Sequence, residues 1–130
     1  MQVFLGIVGD DLDPALVSAA LGGQPHEAGR KIDAITATTA SGRAISRPAI
    51  AGYWQRMASF DSPASADAAI NELFSGLTCE DSIWHGLGSQ FRMGITVHET
   101  PPRATAQMIF SSSTLTLFEQ RGLRVYLNDD

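Results

Sequence analysis

The chain has 130 residues, of which 44% are hydrophobic and 18% are charged, and its formal net charge is −5 at pH 7. This length suits one domain with its own core, spanning residues 1–130, and the composition excludes a disordered chain. The acidic balance argues against general nucleic-acid binding.

The first predicted strand and helix have residues that mark where they begin and end. Residues 2–8 form an apolar run that predicts a strand, central in its sheet or covered on both faces. Asp11 and Asp13 then supply carboxylates suited to a helix N-terminus, with Asp13 as the N-cap, and Pro14 fits the first helical position. Gly22 is a typical C-terminal stop for this helix.

The middle of the chain is less regular. A short strand is predicted near residues 31–36, a mobile loop around 38–44, and a strand from about 49 to 57. Residues 64–76 then predict the clearest helix, because their apolar side chains recur at helical spacing and Pro63 precedes them.

The last third alternates strands and a helix. Residues 91–97 alternate apolar and polar side chains, as in a half-buried strand, and residues 105–110 predict a second strand antiparallel to it. Ser112 or Ser113 is expected to cap a short helix, and residues 123–127 alternate again in a final strand.

The predicted order is therefore β-α-β-α-β-β-α-β, with the short strand near 31–36 as an extra element. Such an order indicates an α+β fold with a mixed or mainly antiparallel sheet and about three helices, packed mainly on one face.

Several motifs resemble one known family. The opening Gly-Asp-Asp-Leu-Asp-Pro at residues 9–14, the Leu-Gly-x-x-Pro helix end at 21–25, a Gly-x-Trp strand start at 52–54, and the closing helix, glycine and strand at 118–127 carry the likeness. Together they resemble a bacterial domain-of-unknown-function family, number 4279. The resemblance implies this fold and a bacterial origin, and adds no catalytic residue. Residues 30–50 depart from the pattern with an Ala/Thr/Ser-rich run.

Metal and cofactor chemistry has weak support. Asp10, Asp11 and Asp13 form an acidic cluster that suits a hard cation, but helix capping explains them better. The histidines do not share a zinc-binding spacing, and the glycines near His85 lack the rest of a dinucleotide fingerprint. We therefore expect no metal, no cofactor and no catalytic set.

Aromatic and basic side chains are the best remaining indicators of a binding surface. Tyrosine and tryptophan combine large area with a polar group, which makes them frequent interface anchors, although the tryptophans also suit a core. A predicted loop at Trp84–Ser89 adds a histidine. The candidate surface residues are Tyr53, Trp54, Trp84, His85 and Arg92.

Basic residues concentrate between positions 28 and 56, where Asp33 is the single acid. This segment is either a solvated basic face or, around 30–47, a local anion or phosphate contact. Binding of a nucleic acid would be confined to it.

The compartment follows from what the sequence lacks. Cys79 is the single cysteine, so an intrachain disulfide is excluded. The apolar run from Val3 to Val8 is too short for a signal peptide or a membrane span. We expect a cytoplasmic protein that does not associate with a membrane.

Two classes of function remain open. The first is a non-catalytic binding or interaction module for a protein partner, including the immunity type that blocks a toxin. The second is a small-ligand-binding protein or small enzyme that uses the Trp84–Ser89 loop, with Arg30 or Arg92 as an anion clamp. The terminal strand also offers an edge for a homodimer.

Overall fold

The computed structural model describes residues 1–30, 34–38, 44–48 and 51–127, and for 34–38 and 44–48 it describes only the backbone. The strands are β1 (Gln2–Gly9), β2 (Glu27–Gly29), β3 (Ala34–Thr38), β4 (Ala44–Pro48), β5 (Gly52–Ser59), β6 (Arg92–His98) and β7 (Arg124–Leu127). The helices are α1 (Pro14–Leu21), α2 (Pro63–Leu73), α3 (Asp81–Gln90), α4 (Ala106–Ile109) and α5 (Ser112–Gln120).

Five of the strands form one mixed sheet in the order β2-β5-β1-β6-β7. β1 pairs antiparallel with both β5 and β6, whereas β7 runs parallel to β6. β3 and β4 form a separate antiparallel pair. The predicted α+β class and mixed sheet are confirmed.

β1 lies at the centre of this sheet because its apolar side chains serve the core. Val3, Leu5 and Ile7 are fully buried on the face that the helices cover. The alternating residues on the opposite face are only partly covered, and Val8 is 41% exposed. Of the two alternatives predicted for this strand, the central position in the sheet is confirmed.

The predicted ends of α1 are confirmed. Asp13 is the N-cap, and its side chain accepts a hydrogen bond from the backbone N–H of Ala15. Gly22 closes the helix in the left-handed conformation, with φ of 81°. Asp11 lies two residues before the cap, within the turn closed by the Leu12 N–H and the Gly9 carbonyl.

Two predictions of secondary structure are wrong. The predicted strand at 105–110 is the short helix α4, followed by the N-cap of α5 at Ser111. A short apolar run does not distinguish a strand from a helical turn by its period. The predicted loop at Trp84–Ser89 belongs to α3. Its two glycines lower helix propensity, but burial of Trp84 outweighs that cost.

With these two differences and with β2, β3 and β4, which the predicted order lacks, the observed order is β-α-β-β-β-β-α-α-β-α-α-β. The predicted strand at 31–36 overlaps β3, and the strand predicted at 49–57 begins at Gly52. Most of the loop predicted at 38–44 lies outside the described residues. Across the described ranges, no helix is both long enough and apolar enough to traverse a bilayer.

Candidate binding surface

Neither tryptophan belongs to an accessible surface. Trp54 and Trp84 are both fully buried in the core. The Trp54 indole N–H donates to the Ser18 hydroxyl at 3.0 Å, and the Trp84 indole N–H donates to the Thr78 carbonyl at 3.0 Å. Both indole N–H groups therefore have acceptors inside the protein. Because Trp54 and Trp84 are inaccessible, we no longer include them in the candidate binding surface.

His85 is exposed on α3 rather than on a loop. Its Nε2 donates to the Gln120 carbonyl oxygen at 2.6 Å, at the last residue of α5. The imidazole therefore satisfies one of the open carbonyls of a helix C-terminus. The hypothesis of a small enzyme built on a Trp84–Ser89 loop loses its structural basis.

The acidic turn before α1 serves the fold. Besides capping α1, Asp13 accepts a hydrogen bond from the guanidinium of Arg30, with 3.2 Å between Oδ2 and Nη2. In the part of the chain that the structure describes, no three His, Cys, Asp or Glu side chains are grouped to hold a metal ion.

Arg56 gives the basic segment a structural role. Its guanidinium donates to the carbonyls of Gln24, Leu73 and Ser75 at 2.8, 3.2 and 2.8 Å, which ties the end of α2 to the loop before β2. Burial lowers the pKa of Arg56 from its usual value. The predicted contact at 30–47 involves Lys31 and Arg43, which lie outside the described residues.

Among the described residues, the helices cover one face of the sheet, and we call the other face the open face. Phe4, Gly6 and Val8 of β1 point toward it, and Gly6 pairs directly with Gly94 of β6. A side chain at Gly6 would meet nothing within 4 Å among the described atoms. The two facing glycines therefore form a strip without side chains of its own at the centre of the sheet, bare at Gly6 among the described atoms and covered at Gly94 by the Tyr126 ring. Bare strand backbone of this kind is where a second chain approaches closely.

Apolar side chains surround this strip. Val8, Met57 and Tyr126 are 41%, 40% and 46% exposed, and Met57 lies directly across from Phe4 on β5. The Tyr126 ring reaches over Gly94, where an added Cβ would come within 2.8 Å of it.

Arg92 stands at one end of the open face, where several cavities adjoin. A cavity of about 250 Å³ lies over Gly6, Gly94 and Tyr126, and Arg92 lines it. Arg92 also lines a neighbouring cavity of about 550 Å³ that reaches Arg124 and Phe91. We call this pair of cavities the basic groove. Of the predicted surface residues, Arg92 is the one that the structure places here.

Tyr53 lies away from the basic groove. It is half-buried on β5, and its ring covers Gly29 of the edge strand β2, where an added Cβ would lie 2.8 Å from a ring carbon. Tyr53 and Arg92 are the partners of Val8 on the two sides of β1, so Tyr53 lies on the open face in the same row as Arg92. It is separated from Arg92 by β1 and does not line the basic groove.

Sequence reasoning missed most residues of this surface, among them Gly6, Val8, Met57, Gly94, Arg124 and Tyr126. A signal was present for the glycines, because each interrupts a run of apolar or alternating strand residues. Arg124 and Tyr126 join the site through the pairing of β7 with β6. That pairing is not readable from the local pattern of either strand.

The fold and this surface define an α+β protein with one helix-covered and one open sheet face. Residues 1–126 match the family model described as Domain of unknown function (DUF4279). The chain belongs to this family, as its motifs predicted. Among curated proteins and among solved structures, no significant match to the chain was found.

Proposed function

We propose that this protein is a non-catalytic binding module whose open face docks a partner protein. The observation that carries the proposal is the Gly6–Gly94 strip, bare at Gly6, with exposed Val8, Met57 and Tyr126 on the same face. Exposed apolar side chains grouped on one face mark interaction sites more often than scattered ones.

The shape of the surface favours a protein over a small molecule. Small-molecule sites enclose most of their ligand's surface. Here Val8 and Tyr126 remain more than 40% exposed, and the cavities open along the sheet. A broad, shallow face of this kind suits a segment of another protein chain that lies across the strands.

An immunity-type role, in which the chain blocks a toxin, is one form of this module. Net charge alone would pair this acidic chain with a basic partner. The basic groove adds a local requirement, because Arg92 and Arg124 favour acidic groups on the part of the partner that reaches them.

The test uses two glycine substitutions on opposite sides of the protein. Gly6→Val fills the strip and meets open space, so the fold is expected to tolerate it. Gly86→Ala on α3 also meets open space and serves as the matched control. Tagged wild type and both variants are used for quantitative capture from the lysate of the source cells.

We expect proteins that are retained stoichiometrically by wild type and Gly86→Ala to be lost with Gly6→Val. Equal retention by all three proteins, or no specific retention by wild type, would contradict the proposal.

A further inference from the structure

Building on the proposed function, we infer that the basic groove is the anchor for carboxylates of an extended, acidic segment of the partner protein. The groove combines two guanidinium groups with an aromatic wall on an otherwise acidic chain. Four observations support this ligand class.

The two arginines are placed to act on one segment. Arg124 of β7 pairs in register with Gly94, and Arg92 lies two residues before Gly94 on the same side of β6. Neighbouring strands lie about 4.8 Å apart and two residues rise about 6.6 Å, so the two Cα atoms are about 8 Å apart. Side chains of this length reach one carboxylate together or two carboxylates on one extended segment.

The side chains of Arg92 and Arg124 are also available to bind a ligand. Both are exposed, and among the side chains that the structure describes neither forms a hydrogen bond or an ion pair. The contrast with Arg30 and Arg56 is direct, because those side chains bond to Asp13 and to backbone carbonyls.

The walls of the groove are free of opposing charge. Its described lining contains arginine, glycine, aromatic, aliphatic and threonine side chains, and neither cavity has a carboxylate in that lining. The chain as a whole carries −5, and Asp10 lines an adjoining cavity together with Arg92. Within the groove itself, the charged side chains of the described lining are Arg92 and Arg124. A guanidinium matches the planar geometry of a carboxylate and binds it through paired hydrogen bonds.

The floor and wall suit an extended backbone next to those charges. Gly6 allows a second chain to approach the sheet, and the Tyr126 ring, which lies over Gly94, offers apolar contact beside the arginines. An extended segment presents alternate side chains on one side. A partner segment with acidic residues at alternate positions therefore fits the groove better than an apolar or basic one.

The experiment uses a defined probe, a capped hexapeptide of alternating glutamate and valine. The control probe has lysine in place of each glutamate. Binding is followed by backbone amide chemical shifts, since Gly6 and Gly94 report on the groove, and Gly76, which follows α2 and lines neither cavity, serves as the reference. We expect the glutamate peptide to shift Gly6 and Gly94 but not Gly76, and the lysine peptide to bind at least tenfold more weakly.

Substitutions of Arg92 and Arg124 then test whether their charges are responsible for binding the glutamate peptide. Arg92→Gln and Arg124→Gln are each expected to weaken binding of the glutamate peptide by about two- to fivefold, and the double variant by about tenfold, as for exposed ion pairs. Arg103→Gln is the matched control, because Arg103 is an exposed arginine in the turn after β6 and does not line the groove. Its affinity should equal that of wild type.

The outcomes separate this inference from the proposed function. No shift at Gly6 and Gly94, or equal binding of the two peptides, would overturn the inference about carboxylates. Unchanged affinity in the double arginine variant would do the same. The capture comparison with Gly6→Val tests the open face independently of these charges.

Discussion

The Asp67 carboxylate accepts a hydrogen bond from the Thr114 hydroxyl, with 2.7 Å between Oδ1 and Oγ1. The same oxygen accepts the backbone N–H of Ser111, the N-cap of α5, at 3.4 Å. Asp67 thereby connects the middle of α2 to the start of α5. These hydrogen bonds, that from Thr114 foremost, lower the pKa of Asp67 below its usual 3.8.

This pair predicts a dependence of stability on pH. A carboxyl group whose pKa is lower in the folded than in the unfolded state stabilises the fold above the unfolded pKa. That contribution is lost as pH falls from about 4 through the lower folded value. Thr114→Val should therefore destabilise the protein at pH 7, by about 1 kcal/mol for a bond of this kind. Melting temperatures from pH 7 to pH 2.5 should show the difference from wild type narrowing in acid.

Thr116→Val is the matched control for that measurement. Thr116 lies on the same helix, but its hydroxyl donates to the Ser112 carbonyl rather than to a carboxylate. The effect of this substitution should not vary with pH. A constant difference for Thr114→Val across the whole range would contradict the assigned role of Asp67.

The buried bond between Trp54 and Ser18 gives a second prediction. Ser18→Ala leaves the indole N–H without its acceptor inside the core, which costs about 1–3 kcal/mol of the free energy of unfolding. Trp54→Phe removes the donor, so adding Ser18→Ala to that variant should cost much less. Urea denaturation of the four proteins in this double-mutant cycle measures the coupling. Additive effects would show that the bond contributes nothing.

The buried side chain of Arg121 gives a third prediction. Its guanidinium carbon lies 4.8 Å from the centre of the Phe74 ring and 5.1 Å from that of Trp84, and the residue is 6% exposed. Arg121→Ala removes both packing and the cation–π contacts and should cost about 2–3 kcal/mol. Arg121→Met keeps much of the packing. It also removes the buried Nε, which has no hydrogen-bond partner among the described residues. Arg121→Met should therefore lower the free energy of unfolding less than Arg121→Ala does.

Chemical denaturation of both Arg121 variants, with Arg103→Ala as an exposed control, distinguishes these contributions. Equal losses for alanine and methionine would assign the whole effect to charge rather than to packing.

The two facing glycines of the open face should respond differently to the same substitution. Gly6→Val meets open space and gains strand propensity, so it should stabilise the fold by about 0.5–1 kcal/mol. Gly94→Val brings its Cβ within 2.8 Å of the Tyr126 ring and 3.2 Å of the Arg124 carbonyl, and should destabilise it. Thermal melts of both variants check the pair, and a loss of stability in Gly6→Val would show that the strip is covered.

The sequence predicted those elements whose signals are local. α1 has an N-cap, a proline and a glycine stop, and β6 has strict alternation, so both were placed within about two residues. α3 and α4 were missed because their helical state depends on burying Trp84 and Ile109 against other elements. The candidate binding surface is largely absent from the sequence prediction for a related reason. The prediction includes Arg92, but its neighbours on β1 and β7 come close to it only through strand pairing.

The central place of β1 has a consequence for how the chain is made. β1 is synthesised before the strands on either side of it, which begin at Gly52 and at Arg92. At about 5–20 residues per second, translation takes on the order of several seconds to deliver each partner. Until β5 and β6 have been synthesised, neither hydrogen-bonding edge of the apolar segment from Val3 to Val8 has its partner strand. The sheet is therefore completed from its middle outward, and only late in synthesis.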